Sequence, residues 1–285
     1  MTIEYRFVIG SYPLGSIEVC DEQKAVIEFL NLISIKHTVG LRSIALYIRD
    51  NDERFHRLNE WLEVNNISFF ISDTQGIYNR QELTSAPWLA VRSTWYKYYP
   101  EPQDDFGYLQ TTYGNTHTCN WCQKGATQKQ SFVIRNKPNF GPRHFLTLNW
   151  VWDQLFVSNK VIEVFEENNI KGADFWPVYS RSGIEYDNTK QLYVPTLLKP
   201  GLCEESIEKY HICKECQYKG MKLNPGFIYF KSQAFDGVDT DIVKSFENTG
   251  WCWKTRLTII SQNLYKVLQD NKLAKGLIFD PIKLV

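Results

Sequence analysis

Two stretches of this chain read almost alike. His117-Thr118-Cys119-Asn120-Trp121-Cys122-Gln123 and His211-Ile212-Cys213-Lys214-Glu215-Cys216-Gln217 are both H-x-C-x-x-C-Q, and a glycine follows each shortly, Gly125 and Gly220. The C-x-x-C spacing lets two thiolates reach one ion from a single tight turn, and two such turns complete the four-sulfur tetrahedron that Zn²⁺ favours in structural sites. The expected ligands are Cys119, Cys122, Cys213 and Cys216, sharing one structural Zn²⁺. A C-x-x-C pair standing alone would also suit thiol redox chemistry, but two matched copies favour the metal. His117 and His211 stand two residues before a cysteine and are read either as nitrogen ligands or, preferably, as neighbours that pack beside the knuckles or hydrogen-bond a sulfur.

The remaining cysteines, Cys20, Cys203 and Cys252, make seven in all and fit no disulfide framework. Cys252, between Trp251 and Trp253, reads as a buried small thiol rather than a nucleophile. Other chemistry is poorly represented. The chain has no G-x-S-x-G, H-E-x-x-H, phosphate-binding glycine loop or dinucleotide fingerprint. Asp50, Asp52 and Glu53 cluster at a strand-to-helix junction, where Arg49 and Arg54 flank them; the preferred reading is favourable charge at a helix N-terminus. A closed four-cysteine shell leaves no open position for a metal-bound water, so the expected protein is not an enzyme.

Lysine plus arginine (32) balances aspartate plus glutamate (32), so net charge recruits neither DNA nor a membrane surface, and a charged partner must be met by a local patch. One such patch is evident. Between Gln123 and Trp152 there is no acidic residue, while Lys124, Lys129, Arg135, Lys137 and Arg143 accumulate beside Phe132, Phe140 and Phe145. Cations interleaved with rings suit nucleic acid, a solvated hairpin would look the same, and an acidic protein is the partner that neutral overall charge favours. No apolar run approaches the roughly 20 residues of a membrane span, and the opening Met1-Thr2-Ile3-Glu4-Tyr5-Arg6 lacks the basic head and apolar core of a secretory signal. The expectation is a cytoplasmic protein with no membrane partner.

The elements that would position these groups follow from hydrophobic periodicity. Residues 1–98 read as a small α/β N-terminal domain. Strands are expected at Ile3–Val8, Ser16–Cys20, Ser43–Ile48, Ile67–Ile71 and Trp88–Val91. A first helix capped by Asp21 carries Val26, Ile27, Leu30 and Ile33, a second over Asn51–Asn65 carries Phe55, Leu58 and Leu62, and a third spans Arg80–Ala86 before Pro87. The aromatic, proline-broken run Trp95-Tyr96-Lys97-Tyr98-Tyr99-Pro100-Glu101-Pro102 marks a domain boundary. Its rings either form a partner platform or seal one domain against the next.

Residues 99–285 read as a duplicated domain, with one repeat over about 113–180 and another over about 209–285. After the first knuckle come the strand-like runs Ser131–Ile134 and His144–Leu148, then Ser158, Val161, Val164, Phe165, Asn168, Gly172, Phe175, Pro177 and Val178. After the second come Phe227–Phe230 and Leu257–Ile260, then Ser261, Leu264, Val267, Leu268, Asn271, Gly276, Phe279, Pro281 and Ile282. Each copy is a serine N-cap, a short amphipathic helix, a glycine suited to a left-handed C-cap, and a strand. The predicted class is therefore α+β: a small α/β domain plus a duplicated, β-rich zinc-ribbon domain whose pseudo-two-fold repeats share one metal.

With these motifs the region from about Tyr113 to Val285 resembles the bacterial double-CxxCG motif proteins, which include immunity proteins of polymorphic toxin systems. Cys119, Cys122, Cys213, Cys216 and the Ser158–Pro177 and Ser261–Pro281 endings carry the resemblance, although Gln123 and Gln217 stand where that family has glycine. The resemblance implies a non-catalytic protein that binds and blocks a cognate toxin. The alternative is a nucleic-acid-binding zinc-ribbon protein.

Overall fold

In the computed structural model, residues 1–10, 21–40, 43–114, 119, 121–250 and 255–285 are described. They form a strand-rich α+β structure of two units, Met1–Arg80 and Gln81–Val285.

In the first unit, β1 (Thr2–Ile9), α1 (Asp21–Leu32), β2 (His37–Val39), β3 (Ile44–Arg49), α2 (Arg54–Val64) and β4 (Phe69–Ile77) follow in order. The strands pair as β2-β3-β1-β4, every pair antiparallel. The unit is therefore α+β in detail rather than α/β. Alternation along β1 and β3 turns Phe7, Ile9, Ile44, Leu46 and Ile48 into one core with Val26, Leu30 and Ile33 and with Leu58 and Leu62 of α2. The rings of Phe29 and Trp61 stack between the helices with centroids 4.2 Å apart. Asp21 lies inside the first turn of α1 and pairs with Lys24, rather than preceding the helix as its cap. The strand expected at Ser16–Cys20 falls outside the described residues.

The second unit runs α3 (Arg80–Ser85), β5 (Trp88–Ser93), α4 (Tyr108–Thr112), β6 (Tyr113–Gly114), β7 (Thr127–Gln128), β8 (Phe145–Leu148), β9 (Val151–Ser158), α5 (Asn159–Glu167), β10 (Asp174–Tyr179), β11 (Glu185–Tyr193), β12 (Ile207–Ile212), β13 (Lys219–Leu223), β14 (Ile228–Phe230), β15 (Ile242–Asn248), β16 (Arg256–Ser261), α6 (Gln262–Asp270) and β17 (Leu277–Leu284). One sheet is ordered β10-β11-β9-β8 and another β14-β17-β5-β16-β15. Their registers correspond. Ser158 pairs with Thr189 as Ser261 pairs with Trp88, and Pro177 pairs with Lys190 as Pro281 pairs with Leu89. Phe145 pairs with Val157 as Ile242 pairs with Ile260. In each sheet a strand from outside the two expected repeats, β11 or β5, lies between the strand that enters the helix and the strand that follows it.

This pairing corrects the domain boundary. Strand β5 is an interior strand of the five-stranded sheet, so the division falls between Arg80 and Gln81 instead of between 98 and 99. The proline-broken run is part of the second unit: Tyr96 bridges Thr147 and Pro100 bridges Ile134, while Trp95 and Tyr98 pack on a core within that unit. The pairing also corrects the strand matching, since Leu257–Ile260 in β16 occupies the place of β9, and the counterpart of β8 is β15.

Strand alternation divides the apolar residues of both sheets. Val157, Phe145 and Leu192 join Ile260, Ile242 and Val91 in a shared core with Val161, Val164, Phe165, Leu264, Val267 and Leu268 of the helices. The opposite faces have cores of their own, Phe156 with Leu146 and Phe132 in one and Ile259 with Val243 and Phe230 in the other. Each fully buried side chain of this size contributes about 1.5–3 kcal/mol before entropy is counted.

The helices do not end on the expected glycines. In α5 and α6 the left-handed residues are Asn169 (φ 52°) and Lys272 (φ 57°), followed by bonds from Ile170 N–H to Phe165 O and from Leu273 N–H to Leu268 O. Those are Schellman closures. Gly172 and Gly276 also have positive φ, but they lie three or four residues further on, where the chain turns into β10 or β17. Among the described residues no helix is long and apolar enough to cross a membrane.

Candidate metal centre

Each knuckle is the turn of a hairpin. Strands β6 and β7 pair Tyr113 with Gln128 and Gly114 with Thr127 around the first, and β12 and β13 pair His211 with Gly220 and Ile212 with Lys219 around the second. The two turns close identically. Gln123 N–H donates to Cys119 O and Cys119 N–H to Lys124 O; Gln217 N–H donates to Cys213 O and Cys213 N–H to Tyr218 O. Both glutamines sit in the left-handed region, at φ 59° and 58°. That is the conformation glycine adopts without strain, which explains physically why glycine suits the position after a C-x-x-C turn.

The hairpins bring all four sulfurs within 4.8 Å of one another. Sγ of Cys119 lies 3.8 Å from that of Cys213, and Sγ of Cys122 lies 3.5 Å from that of Cys216. A tetrahedron with metal–sulfur bonds of about 2.3 Å has edges of about 3.8 Å, so the cluster is close enough to hold a metal ion and has the dimensions of a thiolate shell. Among the described residues this is the one group of three or more candidate ligands, and it contains no carboxylate or histidine. His211 is on β12 and outside the group, and His117 lies outside the described residues.

Electrostatically the sulfurs are unequal. Backbone N–H groups of Cys216 and Glu215 pull the Cys213 thiol down to about 7 against its burial, whereas burial pushes Cys122 up to about 12. Burial also raises Cys216. Four thiolates at these separations repel one another, and a dication is the charge that allows all of them to ionise together.

Polar and aromatic contacts brace the second knuckle. The Lys124 ammonium, two residues after Cys122, stands 4.7 Å from the ring centroid of Tyr218, two residues after Cys216. Asn248 Nδ2 donates to Tyr218 Oη at 2.7 Å. The sequence signalled neither Tyr218 nor Asn248, because both act across segments that only the fold brings together. Cys203 is buried away from the cluster, with its sulfur 3.7 Å from Gly201 O, and burial raises its pKa. Cys20 and Cys252 lie outside the described residues.

The basic stretch is rearranged by folding. Phe132, Phe140 and Phe145 are buried in cores and present no face to a base. Lys137 pairs with Asp187 at 2.6 Å, Arg135 approaches Glu101, and Arg143 covers the Trp95 ring. Acids distant in sequence thus neutralise part of a patch that is acid-free in sequence. The Asp50–Glu53 cluster is also engaged: Asp50 accepts from Ile3 N–H, and Asp52 accepts from the backbone and guanidinium of Arg54, whose hydrogen bond holds its carboxyl down to about 2. Arg49 pairs with Glu4 instead of the cluster.

Compared with known proteins, the chain matches no family model and no curated protein.

Proposed function

We propose that this protein is a non-enzymatic binding protein built around one structural Zn²⁺, and that it acts as an immunity-type inhibitor of a bacterial toxin. The observation that carries the reading is the four-sulfur group, whose separations suit a closed tetrahedron supplied entirely by the chain. In such a shell Cys119, Cys122, Cys213 and Cys216 would hold the ion, and its binding energy would become folding energy by tying together segments distant in sequence. The matched registers of the two sheets and the identical turn closures support reading residues 81–285 as a duplicated domain with two zinc-ribbon knuckles. The resemblance to double-CxxCG motif proteins supplies the toxin as partner. Burial of the three phenylalanines weighs against the nucleic-acid alternative, which relied on them for stacking.

Elemental analysis of reduced, freshly purified protein should find one zinc per chain. Co-expression with the toxin encoded beside its gene should restore growth of cells that the toxin otherwise arrests. Two metals per chain would break the shared shell. A protein that leaves the toxin active but binds oligonucleotides in a salt-sensitive way would move the function to the alternative.

A further inference from the structure

A cavity of about 320 Å³ in the second unit contains a charge that the fold itself does not require. Lys244, on β15, lines this cavity, is 6% exposed, and donates from its ammonium to Asp153 O and, at 2.8 Å, to Thr258 Oγ1. An ammonium has three donors, and among the described residues two acceptors leave one N–H unpaired. Among the described residues no carboxylate forms an ion pair with it. Burying such a charge is costly, and burial indeed lowers the pKa of Lys244. The corresponding register position of the other sheet shows that the cost is not architectural: Thr147 bridges Tyr96 there as Lys244 bridges Leu197, and Thr147 is uncharged.

Around Lys244 the cavity combines a second cation, Arg256, with the rings of Tyr108, Tyr113, Trp150 and Tyr193. Tyr108 is fixed by donating from Oη to Trp150 O, so this aromatic wall is organised before any ligand arrives. Asp153 lines the same space and disfavours a doubly charged guest. Cavities of this size, lined by aromatic and aliphatic side chains with a few convergent polar groups, are typical of small-molecule sites.

We propose that this cavity binds a small aromatic carboxylate, with the carboxylate on Lys244 and Arg256 and the ring among the tyrosines and Trp150. Neither a toxin nor the identity of a metal enters this assignment. Its ligand completes the coordination of the buried ammonium, replacing the water that folding removed.

Calorimetric titration of the full chain tests this with three probes that share one unsubstituted phenyl ring: phenylacetate, its neutral amide, and phenyl phosphate. The carboxylate should bind at least tenfold more tightly than either of the others. Lys244→Met should abolish that preference while zinc content and cooperative melting persist, and Lys244→Thr, which copies the other sheet, serves if the methionine variant does not fold. No binding of the carboxylate, equal binding of the amide, tighter binding of the phosphate, or an unchanged preference in a folded Lys244 variant would each overturn the assignment.

Discussion

At the edge of one sheet Thr147 closes a backbone bridge to Tyr96, and at the corresponding register of the other Lys244 closes the bridge to Leu197. The same comparison can be made elsewhere. Glu101 N–H donates to Val133 O where Cys203 N–H donates to Tyr229 O, and Ser158 precedes α5 as Ser261 precedes α6. The backbone scheme is common to both stretches, and the side chains placed on it are not. Main-chain hydrogen bonds and apolar alternation thus set the framework, while charge and polarity are free to differ wherever the framework leaves a side chain unconstrained. The knuckles are the exception, where both stretches carry the same cysteines and the same left-handed glutamine.

The largest test of that exception is to remove one sulfur from each knuckle in turn. Cys119→Ser and Cys213→Ser should both reduce bound zinc from one to none per chain and lower the melting temperature by more than about 10 °C, since each breaks one shell and loses several kcal/mol of metal-linked folding energy. Equal effects sharpen the comparison. If one variant kept its metal and its melting temperature, the knuckles would not be halves of one site.

A smaller effect is expected where the two stretches differ. Glu101 is 2% exposed and accepts from Arg181 at 2.6 Å and from Gln103 at 2.8 Å, with Arg135 close by. Burial opposes its charge, but these partners outweigh burial and hold its carboxyl below the usual range. Glu101→Gln should cost about 2 kcal/mol, less than a fully buried pair because both arginines are half exposed, and Cys203→Ala about 1 kcal/mol. The pH dependence follows from the depressed pKa. Stability from Glu101 is complete above its unfolded pKa near 4.3–4.5 and is lost as pH falls through the lower folded value, so the difference between parent and Glu101→Gln should shrink in acid. Urea unfolding at pH 7 and at pH 3.5 measures both effects.

Much of this framework was legible from periodicity. Val26, Leu30 and Ile33, or Val161, Val164 and Phe165, recur at helical spacing and are buried as that spacing requires. The four cysteines were legible because two residues between thiols is a local requirement of the turn. What escaped was pairing between distant segments. Strand β11 was not anticipated at all, since Glu185–Tyr193 is largely polar and becomes an interior strand only through β9 and β10. Strand β5 looked like the end of the first domain because nothing local tells a strand which sheet it will enter. Lys244 was invisible for the same reason: its burial is a property of the cavity and not of its neighbours in sequence.

The turn closures offer a test that gains stability. Gln123 and Gln217 both hold left-handed backbone, which costs an L-residue about 1 kcal/mol or more relative to glycine. Gln123→Gly and Gln217→Gly should each stabilise the zinc-loaded protein by about 1 kcal/mol, and the two gains should be similar because the closing bonds are the same. A gain at one turn and a loss at the other, read from urea midpoints, would show that the glutamine side chains serve the two knuckles differently.

The smallest expected difference separates the two helix-initiating serines. Ser261 Oγ accepts from Leu264 N–H at 3.1 Å and donates to Asp241 Oδ1 at 2.7 Å, so it caps α6 and is itself held in place. Ser158 makes no side-chain cap to α5, and its hydroxyl lies 2.9 Å from His144 Nδ1. The residue facing each serine decides this: Asp241 can only accept when ionised, leaving the hydroxyl oxygen's lone pairs for the helix, whereas His144 takes part in a bond that draws the hydroxyl away. Ser261→Ala should therefore cost about 1 kcal/mol, as the loss of a formed cap does, and Ser158→Ala only a few tenths. Equal costs in urea unfolding would mean that the hydroxyl of Ser158 caps α5 in solution, and that the two helix starts differ less than their neighbours do.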